Sequence, residues 1–508
     1  MNELNSSQRA VVDYEGMHLL VIAGPGTGKT HTLIRRIEKM AGKLSQGQEI
    51  LAITFTHKAA GEMRRRLTSR LTDIEKKIFV GTFHQFCLHV LRGYIEETTL
   101  PRDFQVATVE ECEALIQHLW PQKTLKERRA LQETISRWKA LDDLTTPPEE
   151  VLIYNEKLRQ IGRLDFDDLL LETLMLLRAK GHVQAQVHEI YPYIFVDEYQ
   201  DINPVQQALL KSLAGSRGAI TAIGDPNQAI YGFRGADVRS FERFEKDFQG
   251  AVTVTLSENY RSAPNLLLAS SQVMAKAQSF PIAELTARIY IQGRLTIYEA
   301  ATDRAEAEYV VHQIEKMVGG TSMYSHDSGR VAVDEQARHG FGDIAVLYRL
   351  NSQRPVLQKA LERSGIPYHI ACACSSVQDN TDQVCPYRGG EITLNAEKIS
   401  LMTLHAAKGL EFPVVFIVGC EQNILPLNLE GLRSDVEEER RLFYVGMTRA
   451  RECLYLLRAK RRRLYGKTYD HEMSAFVRDI EEELKEYATL KAYGKKQKSK
   501  DRQLSLFS

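Results

Sequence analysis

Apolar residues gather in short runs that end abruptly in polar or glycine-rich clusters. Leu19–Ala23 reads LLVIA and stops at Gly24. Tyr193–Val196 stops at Asp197, and the run around Thr221 stops at Asp225. Ile344–Leu347 leads into Tyr348 and Arg349, and the stretch Lys398–Gly419 reads as strand, polar helix start and strand. Runs this short with sharp polar ends are the pattern of parallel strands buried on both faces. Between them lie segments of helical period. EALIQHLW, LKERRALQETISRWKALDDL and PEEVLIYNEKLRQIG follow one another, interrupted by TTPPEE. EEERRLFYVGM precedes a late strand, and HEMSAFVRDIEEELKEYATLKAYGKK reads as a final helix running into a lysine-rich tail. The alternation predicts an α/β fold with parallel sheets.

Composition changes this picture little. The 508 residues exceed what one core organises, so roughly two to four domains are expected. Lys and Arg number 66, as do Asp and Glu, so a nucleic-acid role has to rest on local patches such as MRRRLTSR and LLRAKRRRLYGK. Both could contact phosphates; the other reading of each is a solvated helix face or hairpin. No leader-like h-region opens the chain and no apolar run reaches membrane-span length, so a cytoplasmic protein is expected. Seven scattered cysteines fit a reducing compartment.

The chemistry sits at the polar ends. Gly24-Pro25-Gly26-Thr27-Gly28-Lys29-Thr30, between strand and helix, matches the G-x-x-x-x-G-K-T loop except that Ala23 stands at its first glycine. Its N–H groups would cradle phosphates, Lys29 would reach the β- and γ-phosphates of ATP, and Thr30 would hold Mg²⁺. Asp197 is a second Mg²⁺ ligand, and Glu198 a base for the attacking water. Asp201 braces the turn. Gln228 is placed as a sensor of phosphate or water. Tyr231, Phe233 and Arg234 either stack on bases or anchor their loop. Arg261, Arg449 and Arg451 are clamp candidates or ordinary surface ion pairs.

These segments, in order, resemble the UvrD/Rep/PcrA-type DNA helicases of the first helicase superfamily. LNSSQRAVV, AGPGTGKT, ITFTHKAAGEMRRR, GTFHQFC, VDEYQD, GDPNQAIYGFRG, ENYRS, TLHAAKGLEF and EERRLFYVGMTRA carry the likeness nearly end to end. It implies two RecA-like cores with ATP between them, a helical insertion in the first, and a reduced or absent insertion in the second. The expected division is 1–87 with 166–265 for the first core, 88–165 for the insertion, 266–484 for the second core and 485–508 for a basic tail. A short linker at 371–397 stands where relatives carry a large subdomain. The resemblance implies that Gln8 reads adenine, Tyr260 stacks on it, Arg261 and Arg449 reach the γ-phosphate, and Glu411 lies near the ribose. Phe55, His57, Phe83, His84, Tyr231, Phe233 and His405 would line the single-strand track. Relatives often carry Trp at the place of Phe233, Asn at that of His57 and Arg at that of His31. The implied activity is ATP-driven 3′-to-5′ translocation on single-stranded DNA, with unwinding of tailed duplexes. The alternatives are a DNA-stimulated ATPase that displaces proteins, and a nucleotide-gated binding protein without translocation.

His369, Cys372, Cys374 and Cys385 share the short linker, but their spacing is a poor match to structural zinc sites. The polar stretch 319–343 reads as an exposed loop. The chain closes on KKQKSKDRQLSLFS. Apolar residues on a lysine leash need a cover, and Gln503, Leu504, Leu506 and Phe507 resemble the short peptide by which bacterial proteins dock on the DNA polymerase sliding clamp. Folding back onto the second core is the other reading.

Overall fold

A computed structural model describes residues 4–71, 77–142, 147–215, 217–277, 284–319, 339–371 and 398–488. Six strands form the first sheet: β1 (Leu19–Ala23), β2 (Ile50–Thr54), β3 (Ile78–Thr82), β4 (Tyr193–Val196), β5 (Ala219–Gly224) and β6 (Val252–Leu256). Their spatial order is β3-β2-β4-β5-β1-β6, and every pairing is parallel. Alternate side chains enter two cores. Leu20, Leu51, Ile53 and Val196 face one, and Leu19, Val21, Ala52 and Phe195 the other. Burial on both faces is why these strands read as unbroken apolar runs. All six run the same way, so their C-terminal ends share one edge, where ligands bind in open α/β sheets.

The second sheet holds β7 (Arg294–Thr302), β8 (Ile344–Tyr348), β9 (Tyr368–Ala371), β10 (Ile399–Thr403), β11 (Phe412–Ile417), β12 (Ala450–Leu464), β13 (Lys467–Asp470) and β14 (Glu486–Ala488). The order β9-β10-β8-β11-β12-β7-β14 is again parallel, with β13 folded back antiparallel on the outer end of β12. Within the described residues the expected final helix is not formed. Ala475–Arg478 makes one short turn, and β14 pairs with Thr296–Tyr298 as the edge strand. Tertiary pairing to an open sheet edge outweighs the weak helical period of this segment.

Helices Val109–Leu119, Leu125–Lys139 and Glu149–Gln160 build a small separate core from Cys112, Ile116, Ile135, Val151, Tyr154 and Leu158. A fully buried ammonium ties it to the first core: Lys139 Nζ lies 2.7 Å from both Asp165 and Asp168. In the second core, β9 and β10 are neighbours with His369 opposite Ser400. The linker between them, with Cys372, Cys374 and Cys385, lies outside the described residues, as does 320–338. No group of three metal-ligating side chains occurs among the described residues.

Candidate nucleotide and nucleic-acid site

The loop after β1 is pressed against the segment after β6. Gly26 and Gly28 take φ of 69° and 81°, the left-handed region that favours glycine. A Cβ on Gly26 would sit 2.6 Å from Arg261 Cβ, and one on Gly28 would sit 2.8 Å from Gln8 Nε2. Asn259, fully buried, donates to the Pro25 carbonyl at 2.7 Å and accepts from the N–H groups of Arg261 and Ser262 at 2.9 Å. Sequence reasoning passed over Asn259; the signal was a polar residue inside ENYRS. Lys29 opens the helix Lys29–Ala41, whose N-terminus carries no side-chain cap, and its Nζ donates to the Ala23 carbonyl at 3.2 Å. Free N–H groups at a helix start favour an anion.

Gln8 lies on this loop. It closes a capping box with Asn5, and its Nε2 donates to the Thr27 carbonyl at 3.0 Å. Asn5 also donates to the Tyr260 hydroxyl at 3.0 Å, and that hydroxyl donates to Glu258 at 2.6 Å. The Tyr260 ring stays exposed between them.

Asp197 and Glu198 follow β4. Burial pushes the Asp197 carboxyl up to about 7, with the Glu198 charge adding to it. One N–H, that of Glu198 at 3.0 Å, reaches its Oδ1. A buried carboxylate with one N–H partner, facing the Lys29 ammonium of the glycine-rich loop, is a hard-oxygen ligand that fits Mg²⁺. Glu198 has φ of 53°, uncommon for a side chain of its size. Burial works to raise its carboxyl, but the charges of Lys29, Lys408 and Arg449 and a Gln200 hydrogen bond outweigh it and hold it below the ordinary range.

The second core faces these acids. Arg449 is buried and donates to the carbonyls of Val445 and Leu410, to Thr448 Oγ1, and to Gln228 Oε1 at 3.2 Å. Burial, and then the neighbouring Arg261 cation, lower its guanidinium to about 9. Two guanidiniums near enough to act on each other favour an anion between them. Arg261 meanwhile pairs with Glu411 at 2.5 Å, and Arg451 lies 3.9 Å from the same carboxylate. Glu411 and Arg449 immediately precede the register pair Phe412–Ala450, which is why one strand edge delivers both. Lys408, absent from the sequence-based set, ion-pairs with Asp201 and donates to the Gln228 carbonyl at 2.8 Å.

Aromatic residues continue from Gln228. Phe55 stacks on Tyr231 at 5.2 Å, Tyr231 meets Phe233 at 6.0 Å, and Phe233 meets His405 at 5.9 Å. Phe233 is 44% exposed, whereas Tyr231 is enclosed, with Lys408 Nζ 5.0 Å from its ring centre. His57 is exposed on a helix start, and His84 is half-buried with its ring 5.7 Å from Phe166. Phe166, 51% exposed, is a ring that sequence reasoning missed. Phe83 is not brought to this surface; it lies in the first core with Phe86 and Cys87. Its place opening a helix right after β3 turns it inward.

The late basic run is largely paired. Lys460 pairs with Glu299, Arg461 with Asp470, Lys467 with Glu430, and Arg462 is buried between Glu306 and Glu421. In MRRRLTSR, Arg66 pairs with Glu62 and Arg70 with Glu38, while Arg65 is exposed. Gln503, Leu504, Leu506 and Phe507 lie outside the described residues.

Two family models match the chain. The UvrD/REP helicase N-terminal domain covers residues 4–249, and the UvrD-like helicase C-terminal domain covers 254–373 and 388–461. DNA helicase II of Escherichia coli is 28% identical, over 97% of this chain and 89% of that protein. The ATP-dependent DNA helicase PcrA of Staphylococcus aureus is 26% identical, over 96% of this chain and 87% of that protein. The alignment with the Escherichia coli protein spans 665 positions against the 508 residues here, so that relative carries a large stretch without a counterpart in this chain.

Proposed function

This chain belongs to the UvrD/REP helicase family, and we propose that it is an ATP-dependent DNA helicase that moves 3′ to 5′ along single-stranded DNA. The observation that carries this reading is the contact of Arg449 with Gln228. It joins a γ-phosphate clamp from the second core to the loop that bears Phe233. The phosphates are assigned to the loop Gly24–Thr30 with Lys29, and the adenine to Gln8 and Tyr260. Thr30 and Asp197 would hold Mg²⁺, which when bound supplies charge neutralisation between phosphate oxygens. Glu198, ionised at neutral pH, accepts the proton of the attacking water. Arg261 exchanges Glu411 for phosphate, and Arg449 stabilises the charge that develops there.

Phe233, with Tyr231 and Phe55 behind it and His405 beside it, forms a stacking platform that tolerates any base. His57, His84 and Phe166 extend the track on the first core. Closing and reopening the cleft would move the strand contacts of one core against those of the other. The reading divides the chain into two cores, an insertion and a tail, and places it with DNA in the cytoplasm. No helix of the described residues is long and apolar enough to cross a membrane.

Unwinding of duplexes with a single tail tests this. Separation is expected from a 3′ tail, falling steeply with duplex length because the second-core insertion is short. Separation requiring a 5′ tail overturns the polarity. The short insertion also favours a second reading, displacement of bound proteins with little strand separation; translocation without unwinding of even the shortest duplex selects it. For the tail, docking of QLSLF on a bacterial sliding clamp is tested by deleting the last six residues. Clamp binding should vanish while DNA-stimulated ATPase persists. Full-strength binding by Leu506→Ala with Phe507→Ala rules the peptide out.

A further inference from the structure

The helix Val436–Met447 of the second core does more than lead to Arg449. Glu438 Oε1 accepts the Gly232 N–H at 3.0 Å. One turn on, Arg441 Nε donates to the Ala229 carbonyl at 2.7 Å. Past the helix end, Arg449 Nη2 reaches Gln228. Positions 438, 441 and 445 share one helical stripe, and Arg449 hangs from the Val445 carbonyl at its end. The short loop from Gln228 to Phe233 in the first core is therefore held at three points by one helix of the second and the arginine just beyond its end.

Gly232 fits this contact. It opens a short turn, Gly232–Arg234, and is not among the left-handed glycines, so its backbone suits other residues. A Cβ there would nonetheless lie 2.7 Å from Glu438 Oε2. The clash is with the end of a flexible side chain. A methyl group at 232 would displace the carboxylate from its N–H partner and leave the fold in place.

We propose that Glu438 is a positioning residue that sets the loop carrying Phe233, so that one helix reports the state of the nucleotide cleft to the stacking ring. This rests on the assignment of Phe233 as a base-stacking residue. A hydrogen bond to an N–H that immediately precedes the ring constrains the ring directly. Arg449 follows this helix, so a movement of the second core that shifts the clamp also shifts Phe233 relative to Phe55 and the rest of the first core.

The test uses the full chain and a fluorescent oligothymidylate, with anisotropy measured without nucleotide and with a non-hydrolysable ATP analogue. Glu438→Ala and Gly232→Ala are each expected to weaken binding severalfold and to flatten the difference between the two nucleotide states. The double variant should be no weaker than either single one, because both remove the same contact. Glu438→Gln, whose carbonyl still accepts the N–H, should keep the nucleotide response. A merely structural role would lower the melting temperature and leave that response unchanged. Phe233→Ala serves as the reference. If it weakens binding while Glu438→Ala leaves affinity and nucleotide response as in the parent, the inference falls alone. If the effects of Glu438→Ala and Gly232→Ala add, it also falls. If Phe233→Ala itself binds like the parent, the stacking assignment falls and takes the inference with it.

Discussion

Lys408 Nζ lies 2.7 and 2.6 Å from the two carboxylate oxygens of Asp201, across the boundary between the two cores. Both side chains are nearly out of solvent, and the same ammonium reaches the Gln228 carbonyl. A single buried cation thus touches the turn after Asp197 and Glu198 and the loop that begins at Gln228 together.

Removing one member leaves the other charge buried and unpaired, a loss of about 3–5 kcal/mol in comparable pairs. Lys408→Ala should lower the melting temperature and weaken DNA stimulation of ATPase. Asp201→Asn in the Lys408→Met background should recover part of the stability. A double-mutant cycle of thermal unfolding checks this; additive losses would show that the two residues act independently.

Glu198→Gln should abolish hydrolysis yet retain ATP, and Lys29→Ala should lose both. Equilibrium binding of a fluorescent ATP analogue beside steady-state turnover separates the two. Rapid turnover by Glu198→Gln would remove its role as base.

The pH profile of turnover carries a sign. Glu198 is held below the ordinary carboxylate range by facing cations that outweigh its burial. It should stay ionised as pH falls through the usual glutamate range, so the limb that Glu198 sets lies below that range and apart from the one that Asp197 sets at about 7. Lys408→Met removes one of those cations and should move the limb to higher pH. An acid limb that Lys408→Met leaves in place would assign it to another group.

Arg449→Lys should not substitute for the guanidinium. A lysine cannot reproduce the separate donations to Val445, Leu410, Thr448 and Gln228. Arg449→Ala should cut kcat by about 10³–10⁵, the range seen for arginine fingers, with ATP affinity much less affected. Single-turnover hydrolysis checks the split.

Phe233→Ala and Phe83→Ala should behave differently. The exposed ring loses stacking of about 1–3 kcal/mol per base, read as a raised DNA half-saturation of the ATPase with unchanged melting temperature. The buried ring leaves a cavity worth about 3–5 kcal/mol, read as a lower melting temperature. Equal melting losses in both would make Phe233 a core anchor.

The amino-acid sequence by itself determined the strands and the groups at their tips. A strand buried on both faces has to be an apolar run, and the loop leaving its end has to be polar, so β1 with Gly24–Thr30 and β4 with Asp197 and Glu198 are legible in one dimension. The same locality made Phe83 indistinguishable from Phe55, because both rings follow a strand and only the packing of the next helix turns one inward. It hid Asn259 and Lys408, whose partners Pro25 and Asp201 are distant in the chain, the first brought near by sheet order and the second by the meeting of the two cores. It made Lys460, Arg461 and Lys467 look like a cationic patch, since Glu299, Asp470 and Glu430 arrive from other strands and loops. And it read Glu486–Ala488 as helix, where an open edge beside β7 supplied hydrogen-bond partners that no local pattern could announce. What a residue's neighbours in sequence decide was readable; what its neighbours in space decide required the tertiary structure, because burial and pairing are set by which strands lie side by side.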